Sequence, residues 1–292
     1  MKILITGGSG FIGRNLFEYL QRRYAVLAPT HKELELFDDD AVKRYLRLNK
    51  FDVIIHSASM PASRKVKAPR DIAIGNLRMF FNLVRNSDCF PKMIFLGTGA
   101  EYDQRYDISR VKEGDPDRRV PADELGFSKW ACSKYIETSG NIVNLRLFGV
   151  FGKYEDYHTK FISNAICKVI YSLPITVKQN RIFSYLYIDD LCKVVDYFVN
   201  NTAKRRIYNV APHETFELLS LAKKVNEISR KNPEIIVHTS GFGKEYTADN
   251  SLLMNEIGSF RFTPIEEAIG ELYKWYEDNK DNIDRDLLLY DP

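Results

Sequence analysis

Glycines at fixed spacing carry the first chemical signal in this chain. Gly8, Gly10 and Gly13 follow the short apolar run Ile3 to Ile5, and Gly7, Gly10 and Gly13 satisfy a variant of the same spacing. Between a buried strand and a helix, such a loop suits a pyrophosphate. One glycine permits the tight turn, one lets the backbone approach the phosphates, and one lets helix and strand pack closely. The phosphates then meet free N–H groups at the positive end of the helix. The chemistry implied is dinucleotide binding, with Gly7, Ser9, Gly10, Phe11, Ile12 and Gly13 around the pyrophosphate.

The second signal concerns which dinucleotide. Ala25-Val26-Leu27-Ala28 reads as strand two, and NAD-preferring sites place an acidic residue at its end for the ribose 2′-hydroxyl. Here Pro29-Thr30-His31-Lys32 follows instead. A 2′-phosphate then has Lys32, His31 or the Thr30 hydroxyl to bind, which favours NADP. The alternative is that Lys32 is a solvated turn residue, and NAD stays open.

The elements that must position these residues alternate along the chain. A helix from Asp39 to Leu48 precedes the strand Asp52 to His56, which ends in the small residues Ser57-Ala58-Ser59. A helix from about Ile72 to Asn86 carries Asn76. Lys92 to Leu96 is a further apolar strand, ending in Gly97-Thr98-Gly99-Ala100-Glu101-Tyr102. A polar loop, Asp103 to Glu124, runs to a helix holding Lys129 and Trp130, and Asn141 to Leu147 is again a strand. Strands apolar on both faces, alternating with helices, predict an α/β fold: a Rossmann-type doubly wound parallel sheet covered on two sides.

Beyond Gly152 the pattern changes. Tyr154 to Leu173 is a helical stretch with no clear parallel strand after it, and Tyr185 to Asp190 leads into another helix. Ile207 to Val210 is a short strand, Leu218 to Lys231 an amphipathic helix, Ile235 to Val237 a strand, and Pro264 to Asn279 a last helix. The expected organisation is a nucleotide-binding part over 1–152, with a return segment near 181–205. The rest, 153–292, is mainly a smaller, partly interleaved α/β substrate lobe.

Composition bounds the partners. The 292 residues are 45% hydrophobic and 28% charged, the balance of an ordinary globular protein, and the net charge of +3 is too small to argue for nucleic acid or membrane. The densest basic run is Arg64, Lys65, Lys67 and Arg70, read as a solvated loop or a face for an anionic ligand. Cys89, Cys132, Cys167 and Cys192 are widely spaced, and the five histidines share no ligand spacing. No metal site is expected, and reduced thiols suit a cytoplasmic protein. The first strand begins at the second residue and no apolar run is long enough to span a bilayer, so neither a signal peptide nor a membrane span is expected.

Together these motifs resemble the extended short-chain dehydrogenase/reductases, the nucleotide-sugar epimerases, dehydratases and ketoreductases, over essentially the whole chain. The matching pieces are Thr6 to Gly13, His56 to Ser59, Asn76, Gly97 to Tyr102, Gly126 to Lys129, Arg146 to Gly152, Tyr185 to Asp190 and Tyr208 to Val210. The run Glu33 to Asp38 looks most like the reductase branch that makes deoxysugars. The resemblance implies that Glu35 and Leu36 lie against the adenine, and that Ser57, Ala58, Ser59 and Asn76 line the cofactor. It implies that Thr98 is the active-site hydroxyl, with Gly99 beside the substrate, and that Lys129 bonds the nicotinamide ribose. A homodimer through the helices around Asn76 and Lys129 is implied as well.

One departure is chemical. The family tyrosine four residues before Lys129, one helical turn away, is Leu125 here. Leucine cannot move the proton that a sugar oxidation or ketone reduction requires, a transfer typically worth about 10² to 10⁴ in rate. Candidates to replace it are Tyr102, a loop tyrosine such as Tyr106, or Lys129 acting through water. The usual diphosphate-gripping arginines are also displaced: their places hold Phe183 and Thr239, leaving Arg181, Lys178, Lys244 and Tyr246 for the substrate. Two expectations follow. One is an NAD(P)-dependent epimerase, dehydratase or reductase acting at or next to C4 of a nucleotide-linked hexose. The other is a catalytically impaired cofactor-binding protein with a sensing or scaffolding role.

Overall fold

The computed structural model describes residues 1–60 and 71–289. The basic run Arg64 to Arg70 lies outside the described residues.

The first half builds most of the main sheet. β1 (Lys2–Thr6), α1 (Phe11–Leu20), β2 (Ala25–Leu27), α2 (Asp39–Asn49), β3 (Val53–His56), α3 (Ile72–Val84) and β4 (Lys92–Thr98) follow in turn. Next come β5 (Ile108–Val111), α4 (Glu124–Glu137), β6 (Ile142–Leu147), β7 (Val150–Phe151), α5 (Phe161–Ile170) and β8 (Ile175–Asn180). After β9 (Ile182–Phe183) and β10 (Leu186–Tyr187), α6 (Ile188–Asn200) leads to β11 (Ile207–Val210). The remainder is β12 (Phe216–Glu217), α7 (Leu218–Ser229), β13 (Ile235–Phe242), β14 (Tyr246–Ala248), α8 (Ser251–Ile257) and α9 (Ile265–Asp278).

Six strands form one parallel sheet in the order β11-β6-β4-β3-β1-β2. Side chains alternate across it, as the strand period of two demands. Ile3, Ile5, Val53, Ile55, Ile94 and Leu96 enter the layer with Leu16 and Leu20 of α1 and Leu191 and Val195 of α6. Leu4, Ile54, Met93 and Phe95 enter the opposite layer with Val42 and Leu46 of α2 and Phe80 and Leu83 of α3. Continuous apolar strands are therefore buried on both faces. The helices start where side chains offer acceptors: Asp38 takes the Ala41 N–H at 3.0 Å at α2, and Asp123 takes the Gly126 N–H at 2.7 Å at α4.

Three sequence expectations change. The stretch Asp103 to Glu124 is not loop throughout, because β5 pairs in parallel with β14 through Ile108↔Tyr246. The stretch after α5 does contain a parallel strand: β8 pairs with β13, which runs on to Phe242. The sixth strand of the main sheet is β11, a segment read from sequence as part of the smaller lobe. Each pairing joins segments distant in sequence, so local periodicity does not announce it.

Candidate active site

The strand order reverses at β1 and β3, and ligands of open α/β sheets bind beyond the carboxyl ends of strands at such a point. The glycine loop lies there. Gly7 has φ +72°, and a Cβ on it would stand 2.7 Å from the Ala58 backbone. A Cβ on Gly13 would meet the Gly7 carbonyl at 2.2 Å, so α1 is seated directly against the loop. A Cβ on Gly10 would touch only Gly7 O, at 3.4 Å, and otherwise enter open space. Gly10 caps α1 without a side-chain bond, and the first turn carries no acidic residue. The loop is a cradle of the right shape and polarity for a diphosphate, and the residues fit a dinucleotide.

Beside it, the end of β3 is fixed by polar contacts. Thr6 Oγ1 and His56 Nδ1 lie 2.7 Å apart, and Thr6 Oγ1 also accepts the Ala58 N–H at 3.4 Å. Burial, and then the Lys129 charge, push the His56 pKa down to about 3, so the imidazole is neutral. Asn76 holds the adjoining turn: its Oδ1 accepts the Met60 N–H at 2.8 Å and faces Ser59 Oγ at 3.3 Å. Its Nδ2 donates to Ser128 Oγ at 3.1 Å. Asn76 thus ties the Ser59 turn to α4.

At the end of strand two, His31 and Lys32 are exposed, as a phosphate contact would require. The Thr30 hydroxyl is not free for one. Glu33 turns back so that its Oε2 accepts from Thr30 N at 2.7 Å and Thr30 Oγ1 at 2.9 Å. A carboxylate therefore stands where the sequence reading finds none. The Leu36 side chain is buried with Val42 and Leu46, and Glu35 is the more open of the pair.

Thr98 closes β4, next to β3. Its Oγ1 accepts the Ala100 N–H at 3.2 Å, and its own N–H donates to Glu101 Oε1 at 3.1 Å. Glu101 is wholly buried and answered by a network. Arg146 Nε reaches Glu101 Oε2 at 2.5 Å, Ser133 Oγ donates to it at 2.6 Å, and Asn144 Nδ2 donates at 3.2 Å. Sequence reasoning missed this network. Part of its signal was present: Arg146 interrupts an apolar run, and a charge in such a place needs a partner.

Lys129 and Leu125 share a face of α4. The Lys129 ammonium donates to the Leu96 carbonyl at 2.9 Å and sits 4.4 Å from the Phe95 ring centroid, and burial lowers its pKa. Leu125 is half-buried. Tyr102 does not take up the missing role. Its hydroxyl lies 2.7 Å from Asn209 Oδ1 and 3.0 Å from the Lys112 carbonyl, and it accepts from Arg146 Nη1 at 3.3 Å. The ring is buried, and burial raises its pKa. A phenol tied up on three sides inside the fold has no path to a substrate oxygen. Tyr106 lies exposed under the Arg119 guanidinium, 3.5 Å from its ring centroid.

On the substrate side the structure brings Tyr246, rather than a cation, to the reacting corner. A Cβ on Gly99 would stand 2.3 Å from the Tyr246 hydroxyl, which lies in the corner beside Thr98. Phe183 packs on the Tyr246 ring with centroids 5.6 Å apart. Arg181 is exposed and borders Gly243, and Lys244 donates to the Arg105 carbonyl at 2.7 Å. A separate cavity of about 240 Å³, between Phe151, Tyr185, Phe216 and Thr263, is lined by none of these residues. Among the described residues no cluster could hold a metal ion, and no helix is long and apolar enough to cross a membrane.

Known proteins share this fold and much of this sequence pattern. The sequence model of the NAD dependent epimerase/dehydratase family matches residues 3–211. GDP-L-colitose synthase of Yersinia pseudotuberculosis is 21% identical, the match covering 97% of this chain and all of that one. The fold matches a GDP-mannoheptose C4 reductase from Campylobacter jejuni with NADP bound, at TM-score 0.80 and 21% identity, over 94% of this chain and 98% of that one. It also matches the dTDP-glucose 4,6-dehydratase of Bacillus anthracis in complex with NAD, at TM-score 0.79 and 17% identity, over 96% and 98%.

Proposed function

We propose that this chain, which belongs to the NAD dependent epimerase/dehydratase family, is an NAD(P)-dependent enzyme acting at or next to C4 of a nucleotide-linked hexose. The pathway would be deoxysugar or surface-polysaccharide biosynthesis. The observation that carries the reading is the convergence of the Gly7–Gly13 cradle with Thr98, at the carboxyl ends of parallel strands in one sheet. The first part, 1–152 with its return near 181–205, would hold the dinucleotide, and 153–292 would mainly hold the sugar nucleotide. Relatives named for GDP-, UDP- and dTDP-linked sugars support that substrate class.

In this reading Gly7, Ser9, Gly10, Phe11, Ile12 and Gly13 hold the pyrophosphate. His31, Lys32, Glu35 and Leu36 surround the adenosine, while Ser57, Ala58, Ser59 and Asn76 shape the wall along the nicotinamide half. The bound dinucleotide supplies or accepts hydride. Thr98 orients the reacting oxygen, Lys129 sets the electrostatics of the pocket floor, and Gly99, Arg181, Lys244 and Tyr246 border the sugar nucleotide. The four free cysteines accord with a cytoplasmic enzyme.

The alternative is a cofactor-binding protein with little chemistry, favoured by Leu125 and by the buried, fully engaged Tyr102 hydroxyl. Incubation with NADPH or NADH and a panel of GDP-, UDP- and dTDP-linked 4-keto-hexoses separates the two. Turnover of any member supports the enzyme. Tight cofactor binding with no turnover across the panel would hand the lead to the alternative.

A further inference from the structure

Resting on the oxidoreductase reading, we propose that Tyr246, working beside Thr98, is the proton carrier of the reaction, in the role that Leu125 cannot fill. Tyr246 lies on β14, which pairs with β5 at Ile108 and with β9 at Phe183. Its ring is held between Phe148, at 5.1 Å, and Phe183, at 5.6 Å. That packing directs the phenol to the Thr98–Gly99 corner, where the approach is so close that only glycine fits at position 99.

The other candidates near this corner are committed elsewhere. The Tyr102 hydroxyl belongs to the Asn209 and Arg146 network, and Lys129 is bonded to the Leu96 carbonyl. Glu101 is consumed by Arg146, Ser133 and the Thr98 N–H. The Tyr246 hydroxyl has Thr98 as its neighbour at the carboxyl end of β4. As a whole residue Tyr246 is half-buried, with its hydroxyl set deep in the Thr98–Gly99 corner.

The step balances in the reductive direction. As hydride from a dihydronicotinamide forms the new C–H bond, the carbonyl π pair moves to oxygen. That oxygen takes the Tyr246 proton, directly or through Thr98 Oγ1. The resulting phenolate regains a proton from water. Burial raises the Tyr246 pKa and the Thr98 contact lowers it by less, so the phenol stays protonated through neutral pH and serves as an acid. An alkoxide is basic enough to take a proton from such a phenol.

The test compares the parent with Tyr246→Phe, which keeps the aromatic stack, using NADPH and the same 4-keto sugar nucleotides. Expected is a fall in kcat of about 10² to 10⁴, with KM and calorimetric NADP affinity within about threefold of the parent. Adding Leu125→Tyr to that variant should recover part of the rate, by placing a phenol one turn from Lys129. Thr98→Val, which removes the neighbouring hydroxyl, should also lower kcat while sparing NADP affinity. If Tyr246→Phe retains kcat, or loses NADP affinity in step with kcat, the proposal is overturned. A parent that binds NADP but turns over no sugar in the panel overturns the oxidoreductase reading, and the role of Tyr246 with it. An active parent with an equally active Tyr246→Phe strikes down the role alone.

Discussion

Arg146 Nε lies 2.5 Å from Glu101 Oε2, and both side chains are wholly buried directly beneath the Thr98 corner. The second carboxylate oxygen of Glu101 accepts the Thr98 N–H, so the pair fixes the backbone that presents the Thr98 hydroxyl. Removing one partner leaves the other charge buried without compensation. Arg146→Leu should therefore cost about 3–5 kcal/mol of stability. Glu101→Gln keeps the shape and should cost less, while loosening Thr98. Denaturant melts of the two variants check this, and equal stability of Arg146→Leu and the parent would contradict it.

Gly10 separates folding from binding. Its Cβ direction is open apart from Gly7 O, so Gly10→Val should fold with a near-parental melting temperature and yet fail to bind either dinucleotide. Calorimetry with NADP and NAD reads the second half of that statement. Retained binding would place the pyrophosphate somewhere other than this cradle.

Glu33 should set the choice of dinucleotide. Its carboxylate, folded onto Thr30, opposes a 2′-phosphate there, while exposed His31 and Lys32 attract one. Glu33→Gln should raise NADP affinity relative to NAD, and Lys32→Ala should lower it. The ratio of the two dissociation constants, measured at fixed salt, is the readout. An unchanged ratio in both variants would remove this corner from cofactor selection.

Glu155 should make stability fall with rising pH. It is buried, with Ser163 Oγ donating to its Oε2 at 2.5 Å, and burial lifts its pKa to about 8. The folded state therefore holds a proton that the unfolded state releases nearer the ordinary carboxyl value of 4.5. The stabilising contribution is full below that lower value and is lost as pH rises through about 8. Glu155→Gln should flatten the decline, seen as a smaller drop in melting temperature between weakly acid and weakly alkaline buffer.

A homodimer through α3 and α4 is expected, because Ile74, Phe127 and Tyr135 are exposed apolar or aromatic residues on those two helices. Light scattering at micromolar concentration checks it. A mass near 33.9 kDa would rule the dimer out, and Phe127→Glu should shift a dimer toward that value.

Features written by local backbone geometry and side-chain period were legible in the chain. The glycine loop is legible because a turn with φ +72° at Gly7 and a helix seated on the Gly7 carbonyl at Gly13 tolerate almost nothing else. The parallel sheet is legible because strands buried on both faces must be apolar throughout. Leu125 was readable as a missing phenol only through the family resemblance, which places a tyrosine one helical turn before Lys129.

Where hydroxyls and charges point was set by contacts between distant segments. Tyr102, next to Glu101 and four residues from Thr98 in the chain, sends its phenol to Asn209, more than a hundred positions away. Glu33 folds back on Thr30, and β14 crosses to β5 to bring Tyr246 against Gly99. These outcomes depend on contacts between distant segments, and neither hydrophobic period nor turn chemistry encodes the direction of a single O–H bond.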